Sequence, residues 1–261
     1  MFDGGRARSR DRSRGHGSLL FSPRTYSNLK AWYRFALGNN YDPGDTTAIV
    51  STGDQSGNGL TISQGTSANW PHVITADSSL NNQQTADFDG GDYLASSANI
   101  DLSTAYTIIV VCKIDTVGAS INNGIIRIAG AITTGSNGFC VYADLTGKLY
   151  VGDVAGTTFY QQFDEKYQTG AYVYTFRCDG TAAGRVVRRN GSVLTADNNL
   201  NPGSFVMPAA NKLFVGAGWN SAAGRIDGKI SEVICYAATR SDAECTRLEQ
   251  YLGARYGITV A

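Results

Sequence analysis

The chain has 261 residues, 42% hydrophobic and 17% charged, with a formal net charge of zero. Thirty-one glycines against five prolines, with 14 tyrosines and 10 phenylalanines, fit a turn-rich all-β protein with enough apolar side chains for a sizeable core. No apolar run approaches the length of a membrane span, which excludes a helical membrane protein.

Residues 1–28 are rich in Arg, Gly and Ser and read as an extended N-terminal arm. Within residues 1–17, five arginines (Arg6, Arg8, Arg10, Arg12, Arg14) stand against Asp3 and Asp11, so this stretch carries +3 and the rest of the chain −3. All five occupy even positions, so an extended chain presents them on one side. The basic start leads only to Leu19, Leu20 and Phe21, too short an apolar stretch for a secretory signal, and synthesis in a cytoplasm is expected.

Residues 29–261 form the expected second unit, short apolar runs punctuated by turn signals. The expected strands are Ala31–Leu37, Ala48–Ser51, Thr85–Phe88, Tyr106–Ile114, Ile125–Ala131, Phe139–Ala143 and Lys148–Val151. They continue as Thr158–Phe163, Ala171–Cys178, Arg185–Arg189, Ser192–Thr195, Lys212–Gly216 and Arg225–Tyr236. Asn190-Gly191 marks a tight hairpin, because both positions accept positive φ. The nearly unbroken apolar run Tyr106–Ile114 predicts a central strand covered on both faces. One helix is expected, over 241–256, with Ser241 as N-cap, Glu244 completing a capping box and Gly257 ending it. Cys112, Cys140, Cys178, Cys235 and Cys245 are odd in number and widely spaced, which argues for reduced thiols over a zinc site or a disulfide framework.

Four stretches, LKAWYRF, GDQSGNGLTISQ, TADFDGGDYLA and GRIDGKISEVICYAATRSDAECTRLEQYLGARYGI, together resemble the concanavalin A-like lectin/glucanase superfamily. The likeness is to the laminin-G-like domains of bacteriophage structural proteins. It spans about residues 29–259 and implies an antiparallel two-sheet jelly-roll sandwich with one C-terminal helix. Glucanases of that superfamily carry an E-x-D-x-x-E triplet, which is absent here. Asp227 and Glu232 are five apart and fall on opposite faces of a regular strand, so no catalytic residues are assigned and no enzyme activity is expected. Glu232 itself, among apolar neighbours, needs a hydrogen-bonding or ionic partner.

Aromatic and amide side chains in loops nominate a carbohydrate site at Trp219 and Asn220, Trp70 (beside Asn69) and Tyr160 (beside Gln161). Asp54, Asn58, Asp89 and Asp92 offer oxygens to a Ca²⁺ ion, although Asp and Asn beside Gly also serve turns; no cofactor is assigned. The arginines of the arm suit docking on an acidic protein surface, and no basic face in the body supports specific nucleic-acid binding. The expectation is therefore a non-catalytic phage virion structural protein. It would be made in the host cytoplasm, anchored by Arg6–Arg14 to the capsid or tail protein, present in many copies and displayed on the virion surface. The alternative is a lectin module that binds a cell-surface polysaccharide, followed by a glycan-cleaving enzyme.

Overall fold

The computed structural model describes residues 21–102, 105–117, 123–129, 138–143, 147–155, 157–181, 183–199, 211–218 and 224–261. In chain order the first strands are β1 (Leu29–Arg34), β2 (Asn39–Asp42), β3 (Asp45–Thr52), β4 (Ile62–Ser63), β5 (His72–Asp77) and β6 (Gln83–Asp89). There follow β7 (Leu94–Ser96), β8 (Ala105–Ile114), β9 (Asn123–Ala129), β10 (Gly138–Ala143), β11 (Lys148–Ala155) and β12 (Thr157–Lys166). The last are β13 (Gly170–Asp179), β14 (Val186–Arg189), β15 (Ser192–Val193), β16 (Asn198–Asn199), β17 (Lys212–Val215) and β18 (Asp227–Tyr236), before the helix α1 (Asp242–Tyr256).

All pairings are antiparallel, and they make two layers. One sheet runs β15–β14–β13–β8–β18, and the free side of β18 is shared between β6, which leads on to β5, and β1. The other runs β2–β3–β4–β7–β17–β9–β10–β11–β12–β16. β3 touches both, bridging to β5 through Ala48 and His72. Alternation along the strands sends one set of side chains into the space between the sheets. Tyr33, Phe35, Phe88, Ile108, Val110, Ile126, Phe139, Val141 and Val233 fill it, all buried. Each such side chain contributes about 1.5–3 kcal/mol on leaving water.

The other side of the first sheet is covered by α1. Leu248, Leu252 and Tyr256 seat on Ile109, Val111, Val173, Ile234 and Tyr236. This is why β8 is apolar at nearly every position: its even residues face the second sheet, and Ile109 and Val111 face the helix. Ser241 caps the helix as expected, its Oγ accepting from Glu244 N at 3.3 Å while Glu244 Oε2 accepts from Ser241 N at 2.8 Å. Gly257, with φ 69°, ends it. Asn190 and Gly191, at φ 50° and 86°, make the expected hairpin turn between β14 and β15. Residues 21–28 pack on the same side: Phe21 and Tyr26 join the helix cluster, and Tyr236 Oη donates to Pro23 O at 2.9 Å.

All five cysteines are free and buried. Burial pushes the Cys112 thiol up to about 12 and the Cys245 thiol up to about 11, so both stay protonated and behave as small apolar groups.

One premise of the sequence reading fails. The register of β18 slips between Ile230 and Glu232, a bulge that places two residues opposite one. Asp227 and Glu232 therefore lie on the same, outer face of the sheet rather than on opposite faces. Ile230 points inward, and only Ile234 and Tyr236 share the Glu232 side. Glu232 is fully buried and saturated, as a structural carboxylate must be: Trp32 Nε1 donates to Oε1 at 2.7 Å, and Arg255 Nη1 and Tyr256 Oη donate to Oε2, each at 2.8 Å.

Candidate functional site on the outer face of the second sheet

Among the described residues no helix lies over the second sheet, and its outer-facing positions include aromatic and polar side chains. Cross-strand neighbours on this face run Ala95–Phe214–Arg127–Cys140–Gly152, and the next row runs Gly124–Tyr142–Tyr150–Gln162. The Tyr142 and Tyr150 rings stack with centroids 5.1 Å apart and planes within 10°. Arg127 is 2% exposed and donates from Nη1 to Gly218 O at 3.0 Å. That bond pins the start of the segment 218–224 to the sheet, and Gly218 N donating to Gly224 O at 2.6 Å closes its neck. Only glycine permits this approach: a Cβ on Gly124 would sit 1.9 Å from Gly218 N.

Beside the neck, Arg225 joins two further loops to the face. Its Nη1 donates to Asn69 Oδ1 at 3.0 Å, and its guanidinium lies 4.7 Å from the centre of the Tyr93 ring. Tyr93 in turn sits 6.5 Å from Phe214, centre to centre. The half-buried Trp70 is held next to them by Nε1 donating to Gln64 O at 2.6 Å, and Gln64 Nε2 donates to Tyr93 O at 3.5 Å. Asn69, Trp70, Tyr93 and Arg225, backed by the buried Phe214, thus form one patch with aromatic side chains and charge-assisted donors, the mixture that suits a polyhydroxylated ring.

Of the sequence candidates, Trp70 lies in this patch. Trp219 and Asn220 lie outside the described residues, but Gly218 and Gly224, which flank their stretch, are at its edge. The backbone of Tyr160 pairs with Gly152 in the same cross-strand row, and its side chain lies outside the description. Arg6, Arg8, Arg10, Arg12 and Arg14 also lie outside the described residues. Sequence reasoning missed Tyr93, Arg127, Phe214 and Arg225, which look like ordinary strand and loop residues until the register brings them together.

The acidic candidates play turn roles. Asp54 Oδ1 accepts from the backbone N of Trp32 (3.0 Å) and Ser56 (2.8 Å), and Oδ2 from Leu60 N (3.3 Å) and Ser56 Oγ (2.6 Å). Asn58 Nδ2 donates to Leu29 O and Lys30 O, which ties the same loop to β1. Asp89 Oδ1 accepts from Gly91 N, and Asp92 Oδ2 from Asp89 N at 3.2 Å. Among the described residues, no three acidic, His or Cys side chains are grouped to hold a metal ion.

Asp92 is 3% exposed, and burial pushes its carboxyl up to about 7 against the hydrogen bond from Asp89 N. A carboxyl raised on folding binds its proton more tightly in the native state, so the contribution of Asp92 to stability is full at low pH and is lost between about pH 4 and 7. Asp92→Asn, which keeps the acceptor, is expected to flatten that slope. At pH 8 it is expected to raise stability by up to about 4 kcal/mol, the full worth of the shift. Urea unfolding of both proteins at pH 5 and pH 8 checks this. Equal pH slopes in the two would refute it.

No family model matches the chain, and no curated protein matches it. Solved structures do. Domain 4 of AbnA, a GH43 extracellular arabinanase from Geobacillus stearothermophilus, in complex with arabinotriose, superposes with a TM-score of 0.59 at 16% identity, covering 85% of this chain and 98% of that one. Trypanosoma rangeli sialidase in complex with sialic acid superposes with a TM-score of 0.55 at 11% identity, covering 88% of this chain but only 33% of the sialidase. The protein shares the fold of these β-sandwiches. The concanavalin-like expectation stands at that level, and these neighbours lend nothing to the laminin-G or phage specialisation. They overturn two expectations: that of a phage virion structural protein with virion partners, and that of no enzyme activity. The architecture found here is that of a domain of an arabinanase and of about a third of a sialidase chain.

Proposed function

We propose that the chain is a carbohydrate-binding β-sandwich that takes a glycan on the outer face of its second sheet. The observation that carries this is the placement of Arg225, fixed between Asn69 and Tyr93 beside Trp70 and at the foot of the segment that contains Trp219. Guanidinium and amide donors held in fixed positions recognise sugar hydroxyls, and the aromatic faces beside them take the apolar face of the ring. The arabinanase domain of like fold holds arabinotriose, which supports a sugar ligand for this architecture. A polysaccharide and oligosaccharide array probed with the intact protein is expected to give saturable binding to a restricted set of glycans. An array with no signal above a bovine serum albumin control would count against it. Reducing-sugar release from the same glycans separates binding from cleavage.

A further inference from the structure

Gln64, the residue after β4, is only 8% exposed, and glutamine is mostly a surface residue. A buried amide must find hydrogen-bonding partners, and each polar group of Gln64 has one. Its N–H donates to Val50 O at 3.0 Å, and its carbonyl accepts from Trp70 Nε1 at 2.6 Å. Its Oε1 accepts from Thr66 N at 3.0 Å, and its Nε2 donates to Tyr93 O at 3.5 Å. These partners allow the amide a single orientation, because an N–H needs the oxygen and a carbonyl needs the nitrogen. Thr66 opens the short 3₁₀ turn Ser67–Asn69 with no cap from its own side chain, so Gln64 Oε1 is what holds the start of that turn. At its end, Asn69 O accepts from Tyr93 N at 3.3 Å. The loop that carries Trp70 therefore grips Tyr93 by both backbone groups, the C=O through the Gln64 side chain and the N–H through Asn69. Trp70 is fastened to the main chain of Gln64, and Tyr93 to its side chain.

We propose that Gln64 is the positioning residue of the patch, fixing the spacing of Trp70 and Tyr93 before a sugar arrives. Being buried, it acts through the two aromatic residues rather than by touching the ligand. The inference rests on the reading of this patch as a glycan site and adds that the site is preorganised. Ordering two aromatic side chains in advance, instead of on binding, is worth about tenfold in affinity.

The test compares the full chain with Gln64→Met, which keeps the volume and loses both side-chain bonds, and with Gln64→Glu. Circular dichroism verifies that both variants fold. One readout needs no ligand: the indole N–H resonance of Trp70, identified by its absence in Trp70→Phe. The other is binding to immobilised arabinan, xylan, galactan and mannan at pH 5 and pH 8. Each variant is read against wild type at the same pH, because Asp92, beside Tyr93, titrates in all three proteins. The expected result is a displaced Trp70 resonance in Gln64→Met and binding about tenfold weaker than wild type. Gln64→Glu is expected to bind weakly at pH 8, where its carboxylate faces Tyr93 O, and to recover at pH 5, where the protonated carboxyl donates again. A side chain that merely fills space would give no such recovery. An unmoved Trp70 resonance, or unchanged binding in Gln64→Met, would overturn the role of Gln64, as would Gln64→Glu equally weak at both pH values. A displaced resonance in a protein whose wild type binds none of the four polysaccharides would keep Gln64 as the clasp of the two aromatics and overturn the glycan reading instead.

Discussion

Glu232→Ala is expected to lower stability by about 3–5 kcal/mol, the range for removing one partner from a buried ion pair. The carboxylate is fully buried and gathers three donors, Trp32 Nε1 from β1 and Arg255 and Tyr256 from the last turn of α1. Alanine leaves an indole, a phenol and a guanidinium without their acceptor at the joint between helix and sheet, where none of the three can turn fully to water. Tyr256 is itself buried, and burial raises its hydroxyl far above the ordinary range, so it cannot ionise to compensate. Pairing the substitution with Arg255→Met is expected to recover part of the loss, because the stranded charge goes too. Urea unfolding of the single and double variants, with m-values held constant, reads both effects. A loss below about 1 kcal/mol in Glu232→Ala would show that this network is not what fastens the helix.

The second large effect is expected from one methyl group. In Gly124→Ala the new Cβ falls 1.9 Å from Gly218 N, 2.2 Å from Gly218 Cα and 2.3 Å from Gly224 O, all backbone atoms at the neck of the 218–224 segment. No rotamer relieves such a contact. The neck must lift from the strand, which breaks the Arg127–Gly218 hydrogen bond and disturbs Arg225, the residue after Gly224. The expected cost is about 1–3 kcal/mol or more, as for other overpacked sites, together with at least a tenfold loss of glycan affinity. Gly65→Ala, whose Cβ meets nothing within 4 Å, is the matched control and is expected to leave both unchanged. Equal glycan affinity in Gly124→Ala and wild type would separate the neck from the binding site.

Much of the fold is legible in the residues, because its strongest signals are local. The Ser241/Glu244 box and Gly257 set the helix ends, Asn190-Gly191 the hairpin, and the apolar run of β8 its place between two cores. The strands that the residues alone do not announce are β2, β4, β7 and β16, which are short or polar, and β5, which is mostly exposed. β2 is Asn-Asn-Tyr-Asp and β16 two asparagines, and such edge segments are held by their neighbours rather than by propensity. The bulge at Ser231 leaves no mark that alternation can detect, so alternation alone puts Asp227 and Glu232 on opposite faces. The candidate site was half legible for a related reason. Trp70 and Asn69 announce themselves in a loop. Arg225, Tyr93 and Phe214 come from three distant stretches, and only the β7–β17 register and the Gly124–Gly218 contact bring them together.

The most direct measurement is a tryptophan-fluorescence titration of wild type and Arg225→Gln with the glycan that gives the strongest array signal. Of the three tryptophans, Trp70 lies in the patch and Trp219 in the segment beside it, so a sugar bound there changes their emission. A saturable change in wild type, weakened at least tenfold in Arg225→Gln while both proteins unfold at the same urea concentration, is the result predicted. An identical curve for the two proteins would contradict binding at this face.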